Sequence, residues 1–78
     1  MANSKRRSMP LVFAPTGREM KIVKIVADEK TKKHLADIGI IAQAKITVLS
    51  SAGGSAVCMV KDGRLALDRT VASGIFVA

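Results

Sequence analysis

The sequence predicts a mainly β fold: a small barrel with one short α-helix and a short helical turn before the last strand. Three observations carry this prediction. Short runs with alternating apolar residues recur between turn-forming residues, as half-buried strands require. One segment, bounded by Asp28 and Gly39, has helical spacing instead. Asp62-Gly63 separates two apolar runs with the dipeptide that favours a type I′ hairpin.

Taken in order, Pro10 to Ala14 reads as a first strand and Pro15-Thr16-Gly17 as a turn. Glu19 to Val26 reads as a second strand, with Met20, Ile22 and Val26 on one face and Lys21, Val23 and Ile25 on the other. Asp28 suits an N-cap because its carboxylate can accept from the free amides of a first helical turn, and Glu29 complements the positive helix end. The helix is expected over residues 29–38, with Thr31, Leu35 and Ile38 on one side and Lys30, Lys33 and Asp37 elsewhere. Gly39 ends it, since a C′ residue usually needs a positive φ. Lys45 to Leu49 is the next strand, Ser50 to Gly54 a flexible loop, and Ala56 to Lys61 the partner strand. After the Asp62-Gly63 turn comes Arg64 to Leu67. Asp68 can cap one helical turn through Ala72, and Gly74 releases the chain into Ile75-Phe76-Val77.

At 78 residues the chain supports one domain and no deep enzyme cleft. The 49% hydrophobic content argues for a folded chain, yet no apolar run approaches the ~18 residues that cross a bilayer. Lys5, Arg6 and Arg7 ahead of Met9 to Ala14 mimic the start of a signal peptide, but Pro10 and Pro15 bracket too short a segment; no secretion is expected. The lone Cys58 offers no internal disulfide and suits a reducing cytoplasm. Three of the thirteen basic residues lie in the first eight, so much of the net charge of +7 belongs to a tail. Residues 1–8 are expected to be a disordered basic leader and residues 9–78 the folded domain.

Over that domain the chain resembles the FeoA family of ferrous iron transport proteins, and the related C-terminal domains of iron-dependent repressors. The resemblance rests on the Pro15-Thr16-Gly17 turn, the Leu35-Ala36-Asp37-Ile38-Gly39-Ile40 helix exit, the Lys45-Ile46-Thr47-Val48-Leu49 strand, and Arg64-Leu65-Ala66-Leu67-Asp68-Arg69 followed by Ile75-Phe76-Val77. It implies an SH3-like barrel acting as a cytoplasmic accessory module of ferrous iron uptake, with the FeoB transporter and its GTP-binding domain as partner. One departure is visible: the family commonly has Pro-Gly a few residues past the helix glycine, where this chain has Ala42-Gln43.

A partner surface is expected at the helix exit, on Leu35, Asp37, Gly39, Ile40 and Ile41. Two consecutive isoleucines cannot both easily face one small core, so one is left as an apolar anchor, and Ile41 is the choice. No catalytic, cofactor or metal residues are assigned. The phosphate-binding Gly-x-x-x-x-Gly-Lys pattern is missing, and one His and one Cys sit 24 positions apart without a ligand cluster. Cys58 reads as a small buried hydrophobe and His34 as a solvated surface residue. Two alternatives are a free-standing regulatory domain like that of the iron-dependent repressors, which the resemblance implies, and nucleic-acid binding, through a phosphate patch of Lys21, Lys24, Lys45 and Arg64. Nucleic-acid binding is disfavoured because the chain has no Trp or Tyr, and Phe13 and Phe76 read as core.

Overall fold

The computed structural model describes residues 8–61 and 63–78. Of the expected basic leader only Ser8 falls within them, and it is exposed; residues 1–7 lie outside. Six strands are present: β1 (Met9–Pro10), β2 (Glu19–Ile25), β3 (Lys45–Ala52), β4 (Ser55–Val60), β5 (Gly63–Leu67) and β6 (Ile75–Val77). Helix α1 (Glu29–Asp37) joins β2 to β3, and α2 (Arg69–Ser73) joins β5 to β6. The sheet is antiparallel in the order β1-β6-β2-β3-β4-β5. Nothing among the described residues pairs β5 with β1, so the barrel is partly open. A 3-10 turn at Leu11–Phe13 packs on β4, β6 and α2.

That turn corrects the first expected strand. Only Met9 and Pro10 pair, with Val77 and Phe76. The chain then coils so that the Ala14 amide donates to the Leu11 carbonyl at 3.0 Å. Pro15 holds the preceding Ala14 in extended backbone, which ends the turn. Leu11 and Ala14 thereby point inward, and Phe13 is 73% exposed rather than in the core.

The second strand ends at Ile25, and its faces do not alternate as expected. Ile22 opposes Val77 and Lys24 opposes Phe76, so β2 carries one extra residue, a bulge, against β6. An extra residue reverses the side-chain parity beyond it. Ile22 is therefore buried and Ile25 half-buried, while Val26 is exposed.

The β3–β4 hairpin is tighter than expected and the β4–β5 turn lies one residue earlier than expected. β3 runs on to Ala52, which pairs with Ser55, leaving a two-residue Gly53-Gly54 turn with φ of +61° and +91°. Two positive φ values define the type I′ geometry, which only glycine adopts freely. Between β4 and β5, Val60 pairs with Gly63, so the loop residues are 61 and 62 and not Asp62-Gly63. Lys61 has a φ of +56°, and Asp62 lies outside the described residues.

The core is aliphatic. Leu11, Ile22, Ile40, Ile46, Val48, Cys58, Ile75 and Val77 are its largest fully buried side chains, drawn from β2, β3, β4, β6 and two connecting segments. Each aliphatic member stabilises the fold by roughly 1.5–3 kcal/mol relative to leaving it exposed. No polar side chain among the described residues is buried.

Candidate partner-docking site

Helix α1 begins as its sequence requires. The Thr31 amide donates to Asp28 Oδ1 at 2.8 Å, and hydrogen bonding by the Thr31 side chain, then by its amide, holds the Asp28 carboxyl below its ordinary range. Leu35 enters the core at 2% exposed, whereas Lys30, Lys32, Lys33, His34 and Asp37 are all exposed. The helix stops one residue earlier than expected, with Ile38 as its C-cap.

Beyond it the backbone makes a two-bond exit. The Gly39 amide donates to the Ala36 carbonyl at 3.1 Å and the Ile40 amide to the Leu35 carbonyl at 2.8 Å. These are the two bonds of a Schellman motif, with Gly39 at C′ and a φ of +96°. The motif brings C″ and C3 into apolar contact, and those positions are Ile40 and Leu35, both buried. A Cβ on Gly39 would also sit 3.3 Å from Val60 Cγ1, so glycine answers both the backbone and the packing.

The same geometry separates the two isoleucines. Ile40 is fully buried and Ile41 is 48% exposed. The loop behind Ile41 is fixed to the barrel: the Gln43 amide donates to the Ile22 carbonyl at 2.7 Å and the Ile22 amide to the Ala44 carbonyl at 2.8 Å. The Ala44 amide bonds the Ile41 carbonyl at 3.1 Å, and Gln43 has a φ of +79°. That is a type II turn, whose central positions favour Pro then Gly. Ala42-Gln43 adopts it without either residue.

Of the expected site residues, Leu35, Gly39 and Ile40 form the supporting layer, while Asp37 and Ile41 reach solvent. Ile38 joins them. Its helical spacing from Leu35 pointed inward, but as the C-cap it is 38% exposed and lines a shallow groove with Leu65 and Val71.

The remaining candidates do not converge. Cys58 is fully buried, and burial pushes its thiol up to about 11. His34 is exposed on α1, and no cluster of three or more metal-ligating side chains occurs among the described residues. In the basic set only Lys21 and Lys45 are direct cross-strand neighbours. Lys24 stands past the bulge opposite Phe76, and Arg64 is on the edge strand β5. Phe13 is the largest miss, because in an apolar run nothing distinguishes the one residue that a 3-10 turn will hold outward.

Six antiparallel strands, a capped helix with a Schellman exit and a short helix before the last strand define a small SH3-like barrel. No helix among the described residues is long and apolar enough to cross a membrane. The chain belongs to the FeoA family, whose domain matches residues 9–78. It is a small domain of the ferrous iron transport or regulatory type. Its fold is similar to a crystal structure of an iron uptake regulatory protein (FeoA), with a TM-score of 0.81 and 24% identity over 91% of this chain and 96% of that one. A solution structure of FeoA from Chlorobium tepidum matches with a TM-score of 0.79 and 25% identity, covering 88% of this chain and 68% of that one. A manganese-dependent transcriptional repressor shares the fold at a TM-score of 0.81 and 22% identity; this chain spans 91% of its own length there but only 41% of the repressor. No curated protein matches the chain.

Proposed function

We propose that this domain is a cytoplasmic accessory module of ferrous iron uptake that binds the cytoplasmic region of a FeoB-type transporter. Contact is through the helix exit: Ile41 is the apolar anchor, Asp37 its polar rim, and Leu35, Gly39 and Ile40 hold the anchor in place. The observation that carries the reading is the opposite fate of adjacent isoleucines, one buried and one 48% exposed on a loop tied to β2. An aliphatic side chain presented by a loop whose backbone is already held does not require the loop to be ordered on docking, which favours affinity.

With no chemistry assigned to it, the module acts by binding one state of its partner more tightly than another. The test is capture of the FeoB cytoplasmic region by Ile41→Asp. Affinity should fall on the order of tenfold, about 1.4 kcal/mol, while the thermal midpoint stays within a few degrees. Undiminished capture by a folded variant would remove this surface from the reading.

A further inference from the structure

The outer face of the sheet beside the helix exit sets positive charge around a small apolar centre. Register places Glu19, Thr47, Met59 and Arg64 in one row across β2, β3, β4 and β5, with Lys21 opposite Lys45 in the next row. Ile46, Cys58 and Val60, which alternate with these positions, are buried, so the row faces outward. Met59 is 40% exposed and Thr47 half-buried, while Lys21, Lys45, Lys61 and Arg64 are all exposed. A groove of about 350 Å³ opens here, with Ala44, Thr47 and Met59 in its lining together with Lys45 and Lys61. Glu19 is the one carboxylate among the described residues that lines it. Lys21 and Lys45 are direct cross-strand neighbours, and like charges in that relation repel each other. An anionic occupant turns that repulsion into attraction. The groove also runs on from the helix exit: Gly39 packs against Val60, the Ala44 amide bonds the Ile41 carbonyl, and Val60 and Ala44 both line the groove.

We propose that the docking surface at the helix exit extends into this groove and that its occupant is an acidic segment of a partner protein. Carboxylates of the segment meet Lys21, Lys45 and Lys61, and one aliphatic side chain rests on Met59 and Thr47. The proposal rests on the helix exit being a partner surface and adds the chemistry of what binds there. A second copy of this chain fits poorly, because a basic face would have to meet a chain of net charge +7. Nucleic acid fits poorly too, since no aromatic side chain lines the groove to stack a base. A lipid surface takes up apolar side chains that project from the protein, and Met59 lies in a groove instead. Complementary charge speeds encounter and is screened by salt over a Debye length of roughly 10 Å, so the docking is salt-sensitive.

Two titrations of the full chain test this. In the first, a glutamate-rich peptide with one central leucine is added to isotope-labelled protein at low salt, and amide shifts are followed. The expected result is saturable movement at Ala44, Thr47, Met59 and Lys61, which the same peptide with glutamine in place of glutamate does not produce. Lys45→Ala with Lys61→Ala should weaken binding about fivefold without moving the thermal midpoint, whereas Lys30→Ala with Lys32→Ala on α1 should leave it unchanged. No saturable movement in the groove, or equal weakening from the α1 pair, overturns the proposal. Tighter binding of single-stranded RNA or phosphatidylglycerol vesicles at the same residues also overturns it, by giving the groove to another polyanion. The second titration measures capture of the FeoB cytoplasmic region, which the groove pair should lower by a similar factor, with the difference shrinking as salt rises. Capture lost in Ile41→Asp but unchanged in the groove pair keeps the helix-exit reading and overturns this one. Peptide binding in the groove without any capture of the transporter region supports the groove and overturns the transporter reading alone.

Discussion

Replacing Ile40 and Ile41 one at a time by alanine tests the helix exit on which the docking surface depends. Ile40 is fully buried against Leu35, so Ile40→Ala removes three buried carbons and leaves a cavity that the Schellman turn cannot close. The expected loss is about 2–5 kcal/mol. A domain of this size has only about 4–12 kcal/mol of stability, and each kcal/mol moves its midpoint by about 4–8 °C. Ile40→Ala should therefore melt roughly 8–40 °C lower. Ile41, half in solvent, should cost less than about 1 kcal/mol, a few degrees at most. Thermal circular dichroism and urea midpoints with unchanged m-values measure both. If Ile40→Ala does not fold, Ile40→Val carries the same ordering at about 0.5–1.5 kcal/mol. Equal losses from the two positions, or a larger one at Ile41, would mean that the chain leaves α1 in a different register, and the proposed anchor would fall with it.

Two further outcomes follow from local geometry. Gln43→Gly should raise stability by about 0.5–1 kcal/mol, because the left-handed φ of +79° strains any residue with a Cβ; a fall would show that the Gln43 side chain, not its backbone, holds the loop. Burial raises the Cys58 thiol from 9.0 to about 11, so the unfolded chain loses this proton first and the thiol's contribution to stability is complete below pH 9 and lost as pH rises towards 11. The difference between wild type and Cys58→Ala isolates this alkaline loss, and rapid thiol labelling of the native protein near pH 8 would contradict it.

The legible parts of the fold were those decided by neighbours in sequence. Asp28 and Asp68 each accept from the amide three residues on, at 2.8 and 2.9 Å, and both helices start where those caps lie. Gly39 marked the exit of α1 for the same local reason. Errors arose where a partner strand decided the outcome. The bulge on β2 exists only relative to β6, and it turned Val26 outward against its own periodicity. β3 extends through Ser50 and Ser51 because Val57 and Ala56 pair with them, although serine pairs read alone suggest a loop. Phe13 shows the same limit, since its exposure follows from Leu11 and Ala14 filling the gap in the barrel.

The position of Ile41 has a reason beyond its own loop. A barrel this small has one core, and its interior is already filled by residues from β2 to β6, the 3-10 turn, α2 and the last turn of α1. An aliphatic residue placed immediately after the Schellman turn must then face solvent, because the turn has given the inward position to Ile40. The type II turn that follows holds Ile41 there, through Gln43 bonded to Ile22 on one side and Ala44 bonded to Ile41 on the other. The backbone that carries the proposed anchor is thus held before any partner arrives, so docking there would not have to order the loop. A loop built only to connect α1 to β3 would have no need of an isoleucine at that point, and a polar residue there would satisfy the same backbone bonds.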